Sequence, residues 1–415
     1  MTMRKIVVVG NGIAGLTACD SLRSAGFDGE LTVVGAERHQ PYSRPALSKA
    51  LLHAVDGNSV DGNSDGGLQP HVLPEPTHEA RELLGVSATG LDVEARLVRL
   101  DGGGELPYDG LVIASGSRAK RLDAGTQKMQ NNGTAEPQRD GSHRELTLRT
   151  IEDAILLKER VASRPSVIVI GGGALGMEVA SGCVHVGCEV TLVSDVKPLA
   201  RQLGDHLADI FTAAANRRGL RVVGGGKARL ADHGAGAKAV LANGTVLEAD
   251  LVVTAIGDEP NTGWLAGTDL LVDGQLRVDS RGRLRPDIVA AGDVASFPTR
   301  RGVERVPLWT SAIDQARIAG VGLLRGDAAP EFDFQPYFWT EGFGLTLKAA
   351  GFAPVLGAPD YCEPGGGADS MLLRWENADG SGTAAALNYR IPIPKLRRFA
   401  VAGPAALRAA SPART

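Results

Sequence analysis

A strand, a glycine turn, a helix and a second strand follow one another at the start of this 415-residue chain, and this order constrains the fold more than any other feature. The apolar run KIVVV ends at residue 9, the turn GNGIAG occupies residues 10–15, and apolar residues return at 31–34. In such a unit the glycines permit a tight turn, a close approach to a pyrophosphate and close helix–strand packing. Free N–H groups at the start of the helix attract phosphate charge. The sequence therefore predicts an α/β unit that binds a dinucleotide through Gly10, Gly12, Ile13, Ala14 and Gly15.

An acidic residue, Glu37, follows the second strand of this unit. It lies about 20 residues beyond the glycines, where a carboxylate accepts hydrogen bonds from the ribose of a bound dinucleotide. We therefore expect Glu37 to bind the adenosine ribose.

The same order of elements occurs a second time from residue 167. VIVI precedes the turn GGGALG at 171–176, and a predicted helix to about residue 186 leads into the strand EVTLV at 189–193. Two such units in one chain predict two dinucleotides, one held permanently and one exchanged. We expect the second dinucleotide to contact Gly171, Gly173, Leu175 and Gly176.

Composition excludes several classes of protein. No apolar run approaches the roughly 20 residues of a membrane helix, and the net charge of −4 does not suggest a nucleic-acid partner. The start MTMRK leads directly into the first strand, which leaves no room for a signal peptide and predicts a cytoplasmic protein. The 4 cysteines are irregularly spaced, so we expect no disulfide framework and no metal site. Cys19, Cys183 and Cys188 fall in or beside predicted elements and are expected to be buried.

The segment after Glu37 suggests which kind of dinucleotide protein this is. PYSRPALSK at 41–49 resembles the PYxRPPLSK signature of ferredoxin and rubredoxin reductases, the putidaredoxin-reductase-like branch of the FAD-dependent pyridine nucleotide-disulphide oxidoreductases. Disulfide reductases of that superfamily carry a redox cysteine pair in this region, and this chain has none there. The resemblance implies that the first dinucleotide is FAD, contacted by Arg44 and Lys49, and that the second is NAD(P)H.

Further signatures of the same branch follow in family order. They are YDGLVIASG at 108–116, LRTIEDA at 148–154, ADLVVTAIGDEPN at 249–261, DIVAAGDVA at 287–295, PLWTSAIDQA at 307–316 and PYFWTEGFG at 336–344. The resemblance extends the expected FAD contacts to Ala88, Arg149, Gly257, Asp293 and Trp309.

Three residues are expected to lie where the two cofactors meet. Glu178 matches the family's GxE motif after the second glycine turn, and the resemblance implies that it pairs with Lys49 near the flavin. Such a pair would shape the electrostatics where hydride arrives. Trp339, in the PYFW signature, would form an apolar wall beside the flavin. A purely structural ion pair and an aromatic core cluster fit the same residues.

Two departures from the family leave details open. NADH-preferring members usually have glutamate at the position of Ser194, whereas here the acid is Asp195, with Lys197 and Arg201 nearby. An acid repels a 2′-phosphate and cations attract it, so NADH is favoured and NADPH stays possible. Pro307 and Ser311 replace an acid and an asparagine, which leaves contacts near the flavin ring open.

The resemblance implies an α/β fold with two Rossmann-like dinucleotide-binding domains and a C-terminal α+β interface domain. A helix is expected over 79–84, and polar insertions at 54–76 and 123–142. The expected parts are a first FAD-binding part at 1–115, a flexible linker at 116–148, an NAD(P)H-binding domain at 149–248, a second FAD-binding part at 249–328 and the interface domain at 329–415.

The function implied is electron transfer from NAD(P)H through FAD to a ferredoxin or rubredoxin-like carrier that serves an oxygenase. A basic docking surface is expected because such carriers are commonly acidic, and the candidate cations are Arg300, Arg301 and Arg305, or Lys395, Arg397 and Arg398. Two other functions stay open, namely a flavoenzyme that acts directly on a small organic substrate and a redox-sensing flavoprotein resembling apoptosis-inducing factor. The sequence allows a monomer or a homodimer.

Overall fold

The computed structural model describes the chain in five ranges, which are 3–49, 71–122, 145–231, 237–377 and 381–408. The insertions expected at 54–76 and 123–142 lie outside these ranges, except for residues 71–76. The same holds for most of the linker expected at 116–148.

The described elements alternate between strands and helices in the two glycine-turn units, and strands predominate elsewhere. In chain order the strands β1 to β27 are Lys5–Val9, Glu30–Gly35, Arg81–Leu84, Ala88–Asp92, Leu97–Leu100, Glu105–Pro107, Gly110–Ile113, Ser117–Ala119, Glu145–Leu146, Ser166–Ile170, Glu189–Val193, Arg221–Val223, Ala228–Ala231, Ala237–Leu241, Val246–Ala249, Leu251–Thr254, Asp258–Pro260, Leu276–Arg277, Arg283–Arg285, Ile288–Ala290, Ala295–Thr299, Gly302–Glu304, Tyr337–Gly342, Leu345–Ala350, Tyr361–Pro364, Met371–Glu376 and Gly382–Leu387. The α-helices, α1 to α8, are Ile13–Ser24, Ile151–Val161, Ala174–His185, Ala200–Leu203, Asp205–Arg217, Trp309–Arg325, Ile393–Ala402 and Ala405–Arg408.

The first sheet is organised around β1, the strand that leads into the first glycine turn. Its strand order is β19-β20-β7-β1-β2-β3. β1 pairs in parallel with β2 and β7, so that Val8 lies opposite both Val33 and Val112. All three valines are fully buried. Such continuous apolar strands are needed where helices cover both faces of a parallel sheet.

The second sheet repeats this plan around β10, in the strand order β12-β11-β10-β16-β9. β10 pairs in parallel with β11 and β16, and β9 pairs in parallel with β16. Strands before residue 149 and after residue 248 therefore belong to this sheet. The second sheet thus extends beyond the residues 149–248 expected for this domain, because β16 completes the parallel hydrogen bonding of β10 and β9 pairs with β16.

Helix α6 returns the chain to the first sheet and packs across α1. The Ser21 hydroxyl donates to the Arg317 carbonyl across the two helices at 2.7 Å. Gly320 makes this approach possible, because a Cβ there would lie 3.3 Å from the Ala18 carbonyl oxygen. The first sheet is thus built from two segments of chain separated by the second sheet.

The C-terminal part is an antiparallel sheet in the order β23-β24-β27-β26-β25. Helix α7 packs on it through Leu396 and Phe399, which are both fully buried. The C-terminal sheet also contacts the second dinucleotide unit. There the backbone N–H of Phe343 donates to the Ser181 hydroxyl of α3 at 2.8 Å. The predicted fold class is confirmed: two parallel α/β units and a C-terminal α+β part.

The prediction of a helix over 79–84 is wrong. Residues 81–84 form β3, which pairs in parallel with β2, and Thr32 lies opposite Arg81. The backbone donors and acceptors on the outer side of β2 are satisfied by this strand. A six-residue segment makes too few helical hydrogen bonds to compete with such an edge.

Both glycine turns have the same geometry. Gly10 has a φ of +119°, and a Cβ at Gly15 would lie 1.8 Å from the Gly10 carbonyl oxygen. Gly171 has a φ of +115°, and a Cβ at Gly176 would lie 1.8 Å from the Gly171 carbonyl oxygen. The third glycine therefore sets how closely each helix packs on its strand.

Two expectations from composition can be compared with the structure. Cys19, Cys183 and Cys188 are buried, as predicted, whereas Cys362 is exposed. Within the described ranges, no helix combines the length and apolar character that crossing a bilayer requires.

The contact between the third and first glycines can be tested by adding a methyl group. Gly15→Ala is expected to lower the free energy of unfolding by about 3 kcal/mol, because the strand and helix must move apart. Urea denaturation followed by circular dichroism measures this difference. Gly366→Ala is the matched control, since nothing lies within 4 Å of its Cβ position. Equal stabilities of the two variants would contradict the packing role of Gly15.

Candidate active site

A cavity of about 620 Å³ lies where the two dinucleotide units and the C-terminal sheet meet. Its wall combines the first glycine turn, the segment after β2, the start of α3, the start of α6 and strand β23. Most of the residues predicted to bind a cofactor or to act in catalysis line it, namely Gly10, Gly12, Ile13, Ala14, Glu37, Arg44, Lys49, Ala88, Arg149, Leu175, Glu178, Asp293, Trp309 and Trp339.

The first glycine turn presents the start of α1 to this cavity. Helix α1 begins after Gly12, has no side-chain cap, and carries no acidic residue in its first turn. Nothing lies within 4 Å of the Cβ position of Gly12, so the space in front of the turn is open. Helix N-termini with free N–H groups attract phosphate. This end of the cavity therefore suits an anion.

Glu37 and Arg44 form an ion pair in the cavity wall. The Tyr42 hydroxyl donates to the second carboxylate oxygen of Glu37 at 2.5 Å, and Arg44 Nη1 donates to the Arg149 carbonyl at 2.9 Å. Burial opposes the charge of Arg44, but Glu37 and Tyr42 outweigh it and raise the pKa of the guanidinium. Burial raises the pKa of Tyr42, so its hydroxyl stays protonated. This cluster holds Glu37 rigidly at the end of β2.

Asp293 is held by groups from three segments of the chain. Arg149 Nη2 donates to Asp293 Oδ2 at 2.8 Å, and the Ser117 hydroxyl donates to the same oxygen at 3.2 Å. The side-chain oxygen of Gln315 accepts the N–H of Gly292 at 2.9 Å. The turn that carries Asp293 is therefore anchored to both α2 and α6.

Arg305 is half-buried beside the turn that carries Asp293 and is not part of an exposed docking surface. It pairs with Asp258 through both guanidinium nitrogens and donates to the Asp293 carbonyl at 3.0 Å. Arg301, predicted to lie in the same docking patch, donates to the Ala353 carbonyl at 2.6 Å. Both cations have intramolecular partners, which a pattern of charges in a loop cannot reveal.

A buried ion pair lies where α3 meets the segment after β2. Lys49 Nζ is 2.8 Å from Glu178 Oε2, and the Glu178 side chain is 6% exposed. Two hydroxyls also donate hydrogen bonds to the carboxylate of Glu178. Ser48 donates to Oε2 at 2.5 Å and Thr340 donates to Oε1 at 2.7 Å. Burying a charge is tolerated only when it is paired and hydrogen-bonded, and this arrangement satisfies both conditions.

Trp339 lies next to this pair. Lys49 Nζ is 6.0 Å from the centre of the Trp339 ring, and this ring stacks on Tyr337 with 6.1 Å between ring centres. Trp339 is half-buried and packs against the C-terminal core as well as lining the cavity. The two roles considered for Trp339 from the sequence, an apolar wall beside the flavin and a member of an aromatic core cluster, are thus compatible.

Six predicted residues do not line the cavity: Gly15, Gly171, Gly173, Gly176, Asp195 and Gly257. Gly15 packs behind the first turn, as described above. Most of the others belong to the second glycine turn or to the end of β11. There Asp195 is paired with Arg201 at 2.8 Å, and Lys197 with Asp209 at 2.7 Å.

Sequence reasoning missed Ser48, Ser117, Thr340 and the role of Tyr42. Tyr42 and Ser48 lie inside the PYSRPALSK signature, so this motif was a signal for both. Thr340 follows Trp339 on β23, and adjacent side chains of a strand point to opposite faces. Which face meets α3 depends on how the C-terminal sheet docks, and the sequence carries no signal for that.

Comparison with known proteins identifies the family. Residues 4–316 match the family model described as pyridine nucleotide-disulphide oxidoreductase. The chain belongs to this family.

Relatives within the pyridine nucleotide-disulphide oxidoreductase family indicate the ferredoxin reductase branch. The chain is 33% identical over 354 residues to the ferredoxin–NAD(+) reductase component of the p-cumate 2,3-dioxygenase system of Pseudomonas putida, covering 84% of this chain and 81% of the relative. It is 34% identical to rhodocoxin reductase of Rhodococcus erythropolis, covering 83% and 78%. The crystal structure of the ferredoxin reductase for the CYP199A2 system from Rhodopseudomonas palustris is 28% identical, with a TM-score of 0.76 and coverage of 93% and 91%.

The described residues fit the FAD that this oxidoreductase family uses. Open space in front of Gly12 at a helix N-terminus suits the pyrophosphate. Glu37 and Asp293 line the cavity, where their carboxylates would accept hydrogen bonds from hydroxyl groups of the dinucleotide. An apolar wall that includes Trp339 bounds the end beside Lys49. The donor set and the shape of the cavity thus agree with one flavin dinucleotide.

The Arg305–Asp258 pair makes the stability of the protein depend on pH. Burial pushes the pKa of Asp258 upward, but bonds from Arg305 and Ser117 outweigh it, so the pKa lies below its ordinary value of 3.8. A pKa lowered by folding contributes stability above the unfolded value, and this is lost as pH falls through the folded value.

Asp258→Asn is therefore expected to lower the free energy of unfolding by about 1–3 kcal/mol at neutral pH. The difference from wild type should shrink when urea denaturation is repeated at about pH 3. Asp273→Asn, which removes an exposed arginine-bound carboxylate, is the control. A deficit of the same size at both pH values would contradict the assignment.

Proposed function

We propose that this protein is a FAD-dependent NADH:ferredoxin reductase that supplies an oxygenase with electrons through an iron–sulfur carrier. The observation that carries the proposal is the position of the Lys49–Glu178 pair. Lys49 comes from the segment after the first dinucleotide unit, Glu178 lies on the helix of the second, and both line one cavity. The names of the most similar relatives, which are reductase components of oxygenase systems, support the same activity.

In this proposal the residues of the chain bind the two dinucleotides, orient their reacting rings and shield them from water. Bound FAD would accept two electrons from reduced nicotinamide and release them singly to a one-electron carrier. The start of α1 would hold the FAD pyrophosphate, and the start of α3, which also lacks an acidic residue in its first turn, would hold that of the second dinucleotide. Lys49 and Glu178 would orient the reacting rings, and Trp339 would exclude water.

NADH is the proposed electron donor. The cations near the end of β11 that could attract a 2′-phosphate are already paired, Arg201 with Asp195 and Lys197 with both Asp205 and Asp209. Ser194 is buried behind Gly172 and is not placed to contact a ribose from the surface. Asp195 is then the acid that would accept the 2′-hydroxyl and repel a 2′-phosphate.

The proposed partner is an acidic ferredoxin or rubredoxin-like carrier. Helix α7 carries Lys395, Arg397 and Arg398 close to β23, the strand of Trp339. Arg397 lies 3.5 Å from Asp314, so Lys395 and Arg398 are the better candidates for a carrier contact. A cytoplasmic location and a monomeric or homodimeric state complete the proposal.

Stopped-flow mixing of the purified protein with NADH tests the central claim. The yellow FAD absorbance should bleach rapidly, and addition of a ferredoxin with cytochrome c should restore it through carrier-dependent reduction of the cytochrome. Bleaching that only a small organic oxidant reverses would favour a flavoenzyme that acts directly on such substrates. A protein that stays colourless after incubation with FAD would refute the proposal.

The nucleotide preference should change when the acid at the end of β11 is neutralised. Asp195→Asn removes the charge that repels a 2′-phosphate and releases Arg201 to attract it. The ratio of bleaching rates with NADPH and NADH should rise about ten-fold. Asp273→Asn, which frees Arg277 in the other dinucleotide half, should leave the ratio unchanged. An unchanged ratio in Asp195→Asn would show that Asp195 does not contact the ribose 2′-hydroxyl.

A further inference from the structure

The Glu178 carboxylate joins three parts of the chain, its own and two that donate hydrogen bonds to it. Ser48 and Lys49 reach Oε2 from the first dinucleotide half, and Thr340 reaches Oε1 from the C-terminal sheet. Glu178 itself is on α3 of the second dinucleotide unit. Its position is therefore determined jointly by all three parts.

Thr340 acts on this carboxylate from behind the cavity. It is 2% exposed and does not line the cavity, whereas Ser48, Lys49 and Glu178 do. Its neighbour Trp339 points to the cavity, so β23 presents one residue to each side. Thr340 therefore cannot touch a bound ligand and can influence the reaction only through Glu178.

The hydroxyl of Thr340 is the sole donor to Glu178 Oε1 among the described residues. Hydrogen bonds to a charged group are stronger than neutral ones, and a buried acceptor left without a partner is destabilised further. Without this bond the carboxylate would turn toward another donor. Its position relative to Lys49 would then change.

A second contact joins β23 to α3 without involving Glu178. The N–H of Phe343 donates to the Ser181 hydroxyl at 2.8 Å, and a Cβ at Gly342 would lie 3.3 Å from the Cβ of Ser181. Gly342 has no side chain, which permits this close approach. The packing of the two elements can therefore be perturbed separately from the carboxylate.

We propose that Thr340 is a positioning residue, which holds Glu178 so that Lys49 stays in place beside the bound FAD. This inference rests on the proposed function, because it assigns a role within the same site. Thr340 would affect the reaction of the flavin more than the affinity for NADH, since it contacts Glu178 and does not line the cavity.

The experiment compares Thr340→Val, Thr340→Ser and Ser181→Ala in the FAD-loaded protein. Thr340→Val keeps the shape of the side chain, and its limiting rate of flavin bleaching by NADH should fall about ten-fold. The apparent dissociation constant for NADH should stay within about two-fold. The midpoint potential of bound FAD, measured by dithionite titration, should shift as well. Thr340→Ser should restore both quantities, and Ser181→Ala should leave both at wild-type values.

Two outcomes would overturn the inference. One is a Thr340→Val protein with the wild-type rate and potential; the other is a Ser181→Ala protein that reproduces the Thr340→Val defects, because domain packing alone would then explain them. If Thr340→Val does not fold, Thr340→Ala removes the same hydroxyl and is subject to the same criteria. Wild-type protein that binds FAD but is not bleached by NADH would refute the proposed function, whereas the potentials would still test Thr340.

Discussion

The contact between the third and first glycines of each turn is the constraint on which the rest of this structure depends. With no Cβ at Gly15 or Gly176, each helix lies directly against the carbonyl that ends its strand. This close packing points the helix N-terminus at the space beyond the strand. The dinucleotide sites follow from it, because they use the same free N–H groups. Any side chain at these positions would move the helix before it affected a ligand.

The two units built in this way share an apolar core, in which Leu47 and Met177 belong to one cluster, and polar groups between them add directional bonds. Asp293 and Glu178 are each bonded by a residue from a distant segment, Arg149 to Asp293 and Thr340 to Glu178. Such bonds are directional, so they determine the relative positions of the parts more closely than apolar contact does. The cavity is therefore shaped by charged groups whose partners lie far away in sequence.

Much of the fold was predictable because local patterns determine it. The strand Glu189–Val193 has the predicted bounds, and both glycine turns start their helices where expected. The helix predicted over 79–84 was wrong because the free edge of β2 supplied backbone partners that a local pattern does not include. Arg305 was expected to be exposed, since a charged residue in a loop usually is. In the structure it is half-buried and paired with Asp258, a partner 47 positions away. Thr340 was missed for a related reason: its role depends on how one domain docks on another.

The pairing of β20 with β7, which lie on either side of the second sheet in the sequence, affects how the chain folds. β20 pairs with β7, and Ile288 lies opposite Leu111, so the first sheet closes only after the second sheet's residues have been synthesised. Contacts of such sequence separation carry a large loop-closure entropy and slow folding. A second unit that has already folded brings its two ends together and shortens the effective loop. The second dinucleotide unit thus serves as a folded bridge on which assembly of the first depends, and a lesion in it would impair flavin loading at a distance.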